Sequence, residues 1–474
     1  MDLLQVRDGK VVDAQGEPVW LRGSCVGGWM NMENFIDGYP GAEHDLRAVM
    51  AEVLGESKAH FFFERLLHYF LMEDDIAFMK EAGATVVRLS FNYRHFEDDE
   101  APFHYLEEGF ARLEEAVGWC AAHELYAILD LHAVQGWQNT DWHCDNSTRH
   151  ALFWDNPHYQ ERFVSLWRAL ADHFKGNPAV AAYNVMNEPQ TSAPRGRYRD
   201  ANEPRWRMLN ELYHKVVDAI RPIDPDHIVI LEGDNFSSRF SGLEPPFAEN
   251  LLYSSHNYSS AGFGPGPYPG RIGDVEWDYE KQQEVFRAHE GTQYAQSHNV
   301  PLWVGEFGAP YNGPAHEVPD RMRALDDQIS VFNEHDVHWT TWTYKDVGVM
   351  GWVALDPESR YMEIVAPSLE AKRRLNADFW MGWLPDTTAK SILHSLARDL
   401  VDTLGEAAGQ IEEVERYMTQ ATMAGFIGGL MQYPYAELFK GMSEVELDRI
   451  LQSFAFRNCI PHPGLDEVLR KRFV

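Results

Sequence analysis

Cysteine is scarce in this sequence, and its few copies form no recognisable pattern. Four cysteines occur among 474 residues, at Cys25, Cys120, Cys144 and Cys459, without the spacing of a disulfide scaffold or a zinc site. We therefore expect four free thiols. The sequence also lacks an apolar run long enough to span a membrane, and its first residues, MDLLQVRDGK, lack the features of a signal peptide. The expected location is the cytoplasm, with secretion left open if a signal sequence has been removed.

Basic residues are also in short supply. The chain has 41 Lys and Arg against 73 Asp and Glu, a formal net charge of −32. Such a charge repels phosphate backbones and anionic lipid surfaces, so we expect neither nucleic acid nor a membrane surface as a partner. Neutral carbohydrates need no long-range electrostatic attraction, so the charge permits a carbohydrate partner without indicating one. Hydrophobic residues make up 45% of the chain, which is enough for a large buried core.

Short apolar runs recur through the first part of the chain, each followed by a stretch of helical periodicity. This alternation is typical of parallel strands joined by crossover helices. Eight such runs predict a closed (β/α)8 barrel, the TIM barrel, rather than an open sheet. The predicted strands are residues 19–24, 85–91, 126–132, 180–186, 227–232, 251–256, 302–306 and 338–343. The predicted helices between them are residues 72–82, 107–122, 158–174, 203–220, 278–297 and 320–335.

Three segments lie outside this repeat. Residues 5–20 read as an N-terminal hairpin that caps the barrel floor. An insertion after the first strand contains a predicted helix over residues 43–70. We predict a barrel domain over residues 1–383 and a helical C-terminal extension over residues 384–474. The extension could pack on the barrel, form an oligomer contact or cover a site, and the oligomeric state stays open.

Two glutamates stand at the ends of predicted strands. Glu188 in YNVMNEP follows the fourth apolar run, and Glu306 in LWVGEFG ends the seventh. Because barrel strands all end at one mouth, the two side chains should converge there. Hydrolysis of a glycosidic bond with retention of configuration needs one carboxylic acid and one carboxylate about 5–5.5 Å apart. Each glutamate by itself could instead belong to an ion pair at the barrel rim.

Further motifs are similar to those of glycoside hydrolase family 5, over about residues 10–345. They follow the chain in order at successive strand ends: VVRLSFNYR with Arg88, LDLHAVQGWQN with His132, the NEP motif with Asn187 and Glu188, SSHNY with His256 and Tyr258, GEFG with Glu306, and TTWTYKD with Trp342. The resemblance implies a barrel enzyme that hydrolyses glycosidic bonds.

The resemblance also implies a role for each of these residues. Glu188 matches the acid/base of the family and Glu306 matches its nucleophile. The supporting positions are an arginine beside the nucleophile, a histidine of the sugar subsite, a sugar-binding asparagine, a pair that orients the glutamates and an aromatic platform: Arg88, His132, Asn187, His256 with Tyr258, and Trp342. Arg88 could instead be a purely structural ion-pair residue.

The segment LRGSCVGGWMNMENFI resembles the exo-β-1,3-glucanase branch of the family, in which the glutamate at the position of Glu33 binds the terminal sugar. DLHAVQGWQNTDWHCDNS resembles the same branch, but it departs at Trp137 and at the inserted residues 141–144. Trp137 is a candidate for stacking on a sugar ring. Trp29, Trp142 and Trp352 could equally stack on sugar or pack a loop. His143 is either a loop contact to substrate or a surface residue.

The two glutamates need different environments. We expect Arg88 to favour the ionised form of Glu306, while burial and the charge of Glu306 raise the pKa of Glu188. We expect no metal, because His132, His143 and Cys144 have no accompanying Cys/His set with ligand spacing. A glycosidase of this kind should also need no cofactor.

Together these features favour a retaining glycoside hydrolase that works through a covalent glycosyl-enzyme and releases a terminal unit from a β-glucoside or a related neutral glycoside. Its expected partner is a neutral oligosaccharide or glycoside. Three alternatives stay open. They are an endo-acting β-glucanase, β-mannanase or glycolipid-cleaving hydrolase, a transglycosylase that uses the same glutamates, and a sugar-binding protein on a degenerate barrel. The last is disfavoured because binding requires neither glutamate.

Overall fold

Eight parallel strands close into a barrel in this computed structural model, which describes residues 1–192, 204–377, 387–405 and 411–473. The seventh strand pairs with both the sixth and the eighth, and the eighth pairs with the first, so the sheet has no free edge. The (β/α)8 prediction is thus confirmed. The strands are Arg22–Met30, Val86–Asn92, Tyr126–Ala133, Val180–Asn184, Ile228–Glu232, Leu251–His256, Leu302–Glu306 and His338–Thr341.

The first strand is where the sequence prediction was least accurate. It starts at Arg22 and continues to Met30, well beyond the predicted end at Ser24. Glycine within this strand permits close packing, since a Cβ at Gly27 would lie 2.6 Å from the Trp342 ring. The strand register shifts between Val26 and Met30, so the strand forms a β-bulge at this close contact.

Helices cover the outside of the barrel as expected. They are Glu73–Ala82, Glu107–Ala122, Pro157–Phe174, Trp206–Ile220, Tyr279–Ala288, Glu290–His298, Val318–Glu334 and Arg360–Leu375. The helix predicted over residues 278–297 is two helices, because His289 is extended and its ring accepts a hydrogen bond from the amide of Gly291. The insertion after the first strand also forms two helices, Glu43–Leu54 and Glu56–Phe70, broken at Gly55 with φ 87°.

The N-terminal hairpin closes the barrel floor. Its strands, Gln5–Arg7 and Lys10–Val12, pair antiparallel. Leu4 and Val11 are buried in the same apolar cluster as Val86, Ile128 and Trp303 of the barrel strands. Burial of these side chains excludes water from the end of the barrel opposite the strand-end glutamates.

The C-terminal segment is helical with one short strand. Its helices are Thr388–Leu404, Ile411–Met418, Gly428–Glu437, Glu444–Leu451 and Pro463–Arg472, with a π-helical turn over Thr419–Ile427. The strand Cys459–Pro461 pairs antiparallel with Val353–Leu355, which lies parallel to Lys345–Asp346. The segment therefore contacts the barrel directly. The predicted domain boundary at residues 383/384 lies outside the described residues and stays a prediction.

The C-terminal segment also packs on the insertion. Gln432 donates to the carbonyls of Pro40 and Ala42 at 3.0 and 2.9 Å, and Arg65 pairs with Asp448 at 2.6 Å. All four cysteines are free thiols, as expected. Within the described ranges, no helix combines the length and the apolarity of a membrane span.

A buried lysine joins the three parts of the chain. Lys345 follows the eighth strand, and its Nζ contacts Asp75 at 2.6 Å with both side chains fully buried. The same Nζ donates to the carbonyl of Phe70 in the insertion at 2.7 Å and to that of Phe454 in the C-terminal segment at 2.8 Å. One ammonium group therefore satisfies acceptors from the barrel, the insertion and the C-terminal segment.

We expect Lys345→Met to lower the free energy of unfolding by about 3–5 kcal/mol, because it leaves the carboxylate of Asp75 buried without its cation. Urea denaturation at neutral pH measures the change. Lys440→Met is the matched control: its pair with Glu437 is more than half exposed, so its removal should cost less than about 1 kcal/mol. Equal effects of the two substitutions would contradict the importance of the buried contact.

Candidate active site

Glu188 and Glu306 meet at the mouth of the barrel. Glu306 is the last residue of the seventh strand, and Glu188 follows the fourth. Three atoms all lie within 4.8 Å of one another: one carboxylate oxygen of each glutamate and one ring nitrogen of His256. Both glutamates are buried, with 8% and 4% of their surface exposed. Retaining glycosidases hold their two carboxyl groups about 5–5.5 Å apart and inverting ones about 6.5–9.5 Å apart, so this separation fits the retaining arrangement.

Glu188 is held in an unusual backbone conformation. Its φ of 48° lies in the left-handed region, which residues other than glycine seldom adopt. Its amide donates to Glu232 at 2.8 Å, and its carbonyl accepts from Asn139 at 3.0 Å. These two bonds offset the strain and aim the carboxyl group into the mouth.

Two donors hold the carboxylate of Glu306. Arg88 Nη1 donates to Oε1 at 2.6 Å, and the hydroxyl of Tyr258 donates to Oε2 at 3.0 Å. Arg88 is fully buried and also contacts Asp130 at 3.2 Å. Burial opposes its charge, but Asp130, together with further contributions that include Glu306 and Glu232, outweighs that effect and holds the pKa of Arg88 well above its ordinary value. Glu306 thus faces a permanent cation.

Two imidazoles hold the carboxyl group of Glu188. His256 Nδ1 lies 2.6 Å from Oε1, and His143 Nε2 lies 2.9 Å from Oε2. Burial raises the pKa of Glu188, but the hydrogen bonds from His143 and His256 outweigh burial and lower it below its ordinary value. This direction is opposite to the sequence prediction, which included burial and the charge of Glu306 but not His143. Because the pKa of Glu188 is lowered and that of His143 is raised, the proton of this cluster lies on imidazole.

A second group of residues lies beside the glutamates. The ring of His132 stacks on Trp342 with centroids 5.0 Å apart and planes at 8°. His132 Nδ1 contacts Asp130 at 2.7 Å, and its Nε2 lies 3.4 Å from Glu33 and 3.2 Å from Asn187. Burial opposes the charge of His132, but Asp130 outweighs it and raises the pKa of His132 to about 10. This histidinium therefore fixes the position of the Glu33 carboxyl group.

A cavity of about 350 Å³ opens over these groups. Six of the predicted site residues line it: Glu33, His132, Glu188, Tyr258, Glu306 and Trp342. Three others lie behind the lining and contact it, namely Arg88, Asn187 and His256. Trp137 does not line the cavity, because its ring packs 5.8 Å from that of His44. Trp29 and Trp352 are core residues, 1% and 0% exposed.

The sequence analysis did not identify every residue of the lining. The remaining ones are Asp141, Trp142, His143, Phe236, Arg416 and Gln420. Of these, Trp142 and His143 had been considered without a decision. Their position in an insertion that follows a strand end was the available signal. Arg416 and Gln420 come from the C-terminal segment, where nothing in the helical pattern distinguishes them from neighbouring residues.

A family profile described as Cellulase (glycosyl hydrolase family 5) matches residues 57–348, which include both glutamates. The chain belongs to glycosyl hydrolase family 5. This family 5 enzyme is 36% identical to a beta-xylosidase from Phanerodontia chrysosporium, over 99% of this chain and 98% of that protein. It is 27% identical to a probable glucan 1,3-beta-glucosidase A from Aspergillus clavatus, over 74% of this chain and 87% of the relative.

The family 5 enzyme also resembles endoglucanase C from Acetivibrio thermocellus, with 24% identity over 61% of this chain and 86% of the relative. Among solved structures, endogalactoceramidase aligns with a TM-score of 0.53 and 20% identity, over 73% of this chain and 75% of that one, which shows a common fold. The family and its named relatives make this protein an O-glycosyl hydrolase with a carbohydrate substrate.

Proposed function

We propose that this family 5 glycosyl hydrolase is a retaining exo-β-glycosidase, with Glu306 as nucleophile and Glu188 as acid/base. The observation that carries the proposal is the approach of the two carboxylates to within 4.8 Å, across the buried imidazole of His256. That spacing leaves no room for a water molecule between nucleophile and sugar, which an inverting enzyme requires.

The reaction has two balanced steps. In the first, a carboxylate oxygen of Glu306 attacks the anomeric carbon while the proton of Glu188 passes to the leaving oxygen. The glycosidic bond breaks, and the sugar becomes an ester of Glu306. In the second, Glu188 takes a proton from water, the hydroxyl oxygen attacks the anomeric carbon and the ester breaks. Glu306 returns as a carboxylate beside Arg88 and Tyr258, whose contacts at 2.6 and 3.0 Å stabilise the restored charge.

Exo action is supported by the closure of one side of the cavity. Gln420 donates to Asp141 at 3.3 Å and accepts from Arg149, so the C-terminal segment is joined to the loop after the third strand. Trp142 lies edge-on to Phe35, with ring centroids 5.9 Å apart. These contacts place a wall beside Glu33, where an open cleft would be needed for a polymer to continue. The cavity volume of about 350 Å³ is at the lower end for small-molecule sites.

The substrate we propose is a neutral β-linked pyranoside, a β-xyloside first and a β-glucoside second. The beta-xylosidase relative is similar over nearly the whole chain, including the C-terminal segment that contributes Arg416 and Gln420 to the lining. Asp130 holds His132, and His132 and Glu33 both line the cavity, where they offer polar groups to sugar hydroxyls. Trp342 supplies the flat face on which a ring can stack.

We expect aryl β-xylosides to be hydrolysed, and xylo-oligosaccharides to yield the monosaccharide as the first product. Chromatography of early time points on both substrates, beside the corresponding glucosides, measures this. A soluble xylan should lose viscosity slowly, because only chain ends enter a closed cavity. A rapid fall in viscosity with little free monosaccharide would refute exo action and favour an endo-hydrolase. Glu276→Ala, an exposed change on the loop after the sixth strand, controls for preparation effects.

A further inference from the structure

His143 is held firmly against the acid/base candidate. It belongs to the short turn Trp142–Cys144 in the loop after the third strand, and 15% of its side chain is exposed. Its carbonyl accepts from Asn31 at 3.0 Å, and its ring lies 6.0 Å from those of Trp142 and Phe236. The Nε2 atom is therefore kept 2.9 Å from Glu188 Oε2 without help from a substrate.

Asn139 constrains the proton between these two groups. Its Oδ1 accepts from the amide of Asp141 at 2.9 Å, which fixes the orientation of the side-chain amide. Its Nδ2 donates to the carbonyl of Glu188 at 3.0 Å, so the second hydrogen on Nδ2 faces His143 Nε2, also 3.0 Å away. That hydrogen favours a lone pair on Nε2, which places the proton on Glu188. The charge attraction between imidazolium and carboxylate favours the opposite placement.

We propose that His143 is a positioning residue that shares one proton with Glu188, so that the pair retains the acid proton at a pH at which a lone carboxyl group would lose it. The proposal rests on the proposed function, in which Glu188 protonates the leaving oxygen. In the resting enzyme the proton lies on Nε2. It moves to Oε2 as the leaving oxygen arrives and then to that oxygen as the glycosidic bond breaks. The proton taken from water in the second step returns to Nε2 through Glu188.

The charges around His143 support a shared proton. Glu188 faces it directly, Glu33 approaches from the end of the first strand, and Asp141 lies in its own loop, bound by Arg149. The ring of His132 is 6.2 Å away on the third strand, and Arg416 of the C-terminal segment lines the same cavity. Burial lowers the pKa of His143, but Glu188 and then Glu33 outweigh burial and raise it.

His256, the other imidazole on Glu188, is in a different position. It lies 3.6 Å from both Glu232 and Glu306, as well as 2.6 Å from Glu188. Burial opposes its charge, but Glu306 and Glu232 hold its pKa well above the ordinary value. We infer that His256 stays charged while Glu188 gains and loses its proton. His143 has no such additional carboxylates in contact within the described residues, so it is the partner that titrates with Glu188.

The test compares His143→Gln with His150→Gln, an exposed histidine in the same loop. The pH dependence of kcat/KM is measured with phenyl and with 2,4-dinitrophenyl β-glycosides of the sugar that the wild-type enzyme hydrolyses. A pair holds its last proton more tightly than either partner alone. We therefore expect that, in His143→Gln, the alkaline fall of kcat/KM for the phenyl glycoside (the alkaline limb) begins about one pH unit lower than in the wild type. Above that pH, kcat/KM should be about tenfold lower than in the wild type.

The dinitrophenyl glycoside should show little change in kcat/KM, because its leaving group needs no proton. His150→Gln should match the wild type on both substrates. An unmoved limb would show that His143 is only structural, and a limb moved to higher pH would show that it is a fixed cation. Either result would overturn the proposal. If His143→Gln fails to fold by circular dichroism, His143→Asn takes its place.

A separate measurement distinguishes failure of the inference from failure of the proposed function. A 2-deoxy-2-fluoro β-glycoside with a dinitrophenyl leaving group should label Glu306, which peptide mass spectrometry detects. Absence of label in the wild type would overturn the assignment of Glu306. Label on Glu306 with an unmoved alkaline limb in His143→Gln would overturn only the role of His143.

Discussion

Replacement of Glu306 by alanine should reduce the turnover of aryl β-glycosides by about 10⁴-fold or more, equivalent to at least ~5 kcal/mol of barrier. The variant has no atom that can attack the anomeric carbon, and Arg88 and Tyr258 lose the carboxylate that they hold at 2.6 and 3.0 Å. Arg88 keeps its contact with Asp130 at 3.2 Å, so the barrel should remain folded. Steady-state rates and the circular dichroism spectrum of the purified variant measure both expectations.

Azide distinguishes loss of the nucleophile from general damage to the site. In Glu306→Ala, azide can enter the space left by the side chain and attack the sugar, which converts a β-glycoside into an α-glycosyl azide. Formation of that product, identified by nuclear magnetic resonance, should accompany partial recovery of the rate. Glu276→Ala should retain full activity, because Glu276 is exposed on the loop after the sixth strand. Turnover of Glu306→Ala within tenfold of the wild type would dismiss this residue as the nucleophile.

Replacement of Glu188 by glutamine should have an effect that depends on the leaving group. For phenyl β-glycosides, kcat/KM should fall by about 10²–10⁴-fold, because the leaving oxygen receives no proton. For 2,4-dinitrophenyl β-glycosides, kcat/KM should fall little, whereas kcat should fall strongly because no base activates water. The glycosyl-enzyme should then accumulate, and a rapid initial release of dinitrophenol measures it. His143 and His256 also lose the carboxylate charge that lies 2.9 and 2.6 Å from their ring nitrogens.

Azide again provides the control for Glu188→Gln. It needs no base, so it should restore kcat on the dinitrophenyl substrate and give the β-glycosyl azide, with the configuration opposite to that formed by Glu306→Ala. The two products together assign the two carboxyl groups. Equal losses on phenyl and dinitrophenyl substrates, or no recovery with azide, would contradict the acid/base role of Glu188.

The barrel and its glutamate pair could be predicted because both depend on local patterns. Buried parallel strands are short apolar runs, and such runs are visible in the sequence wherever the backbone stays regular. Once eight runs are recognised, the residue that follows each one must lie at the same mouth. The meeting of Glu188 and Glu306 across 118 positions, from 188 to 306, follows from that rule.

What could not be predicted depends on contacts between distant segments. The pKa shift of Glu188 was predicted in the wrong direction, because nothing in the sequence shows that His143 contacts its carboxyl group and does not face solvent. The first strand was placed too early, since Gly27 and Gly28 are typical of turns unless the close approach of Trp342 is known. Gln420 enters the cavity through the π-helical turn Thr419–Ile427, which shifts side chains off the ordinary helical period.

The wall to which Gln420 contributes has a consequence for synthesis of the enzyme. A chain on the ribosome that has emerged only as far as the eighth strand already carries both glutamates, yet one side of its cavity is absent. The carbonyl of Phe454, one acceptor of Lys345, is also supplied by the C-terminal segment. The proposed preference for chain ends therefore depends on the C-terminal segment, because a barrel without it is open on the side that Arg416 and Gln420 line.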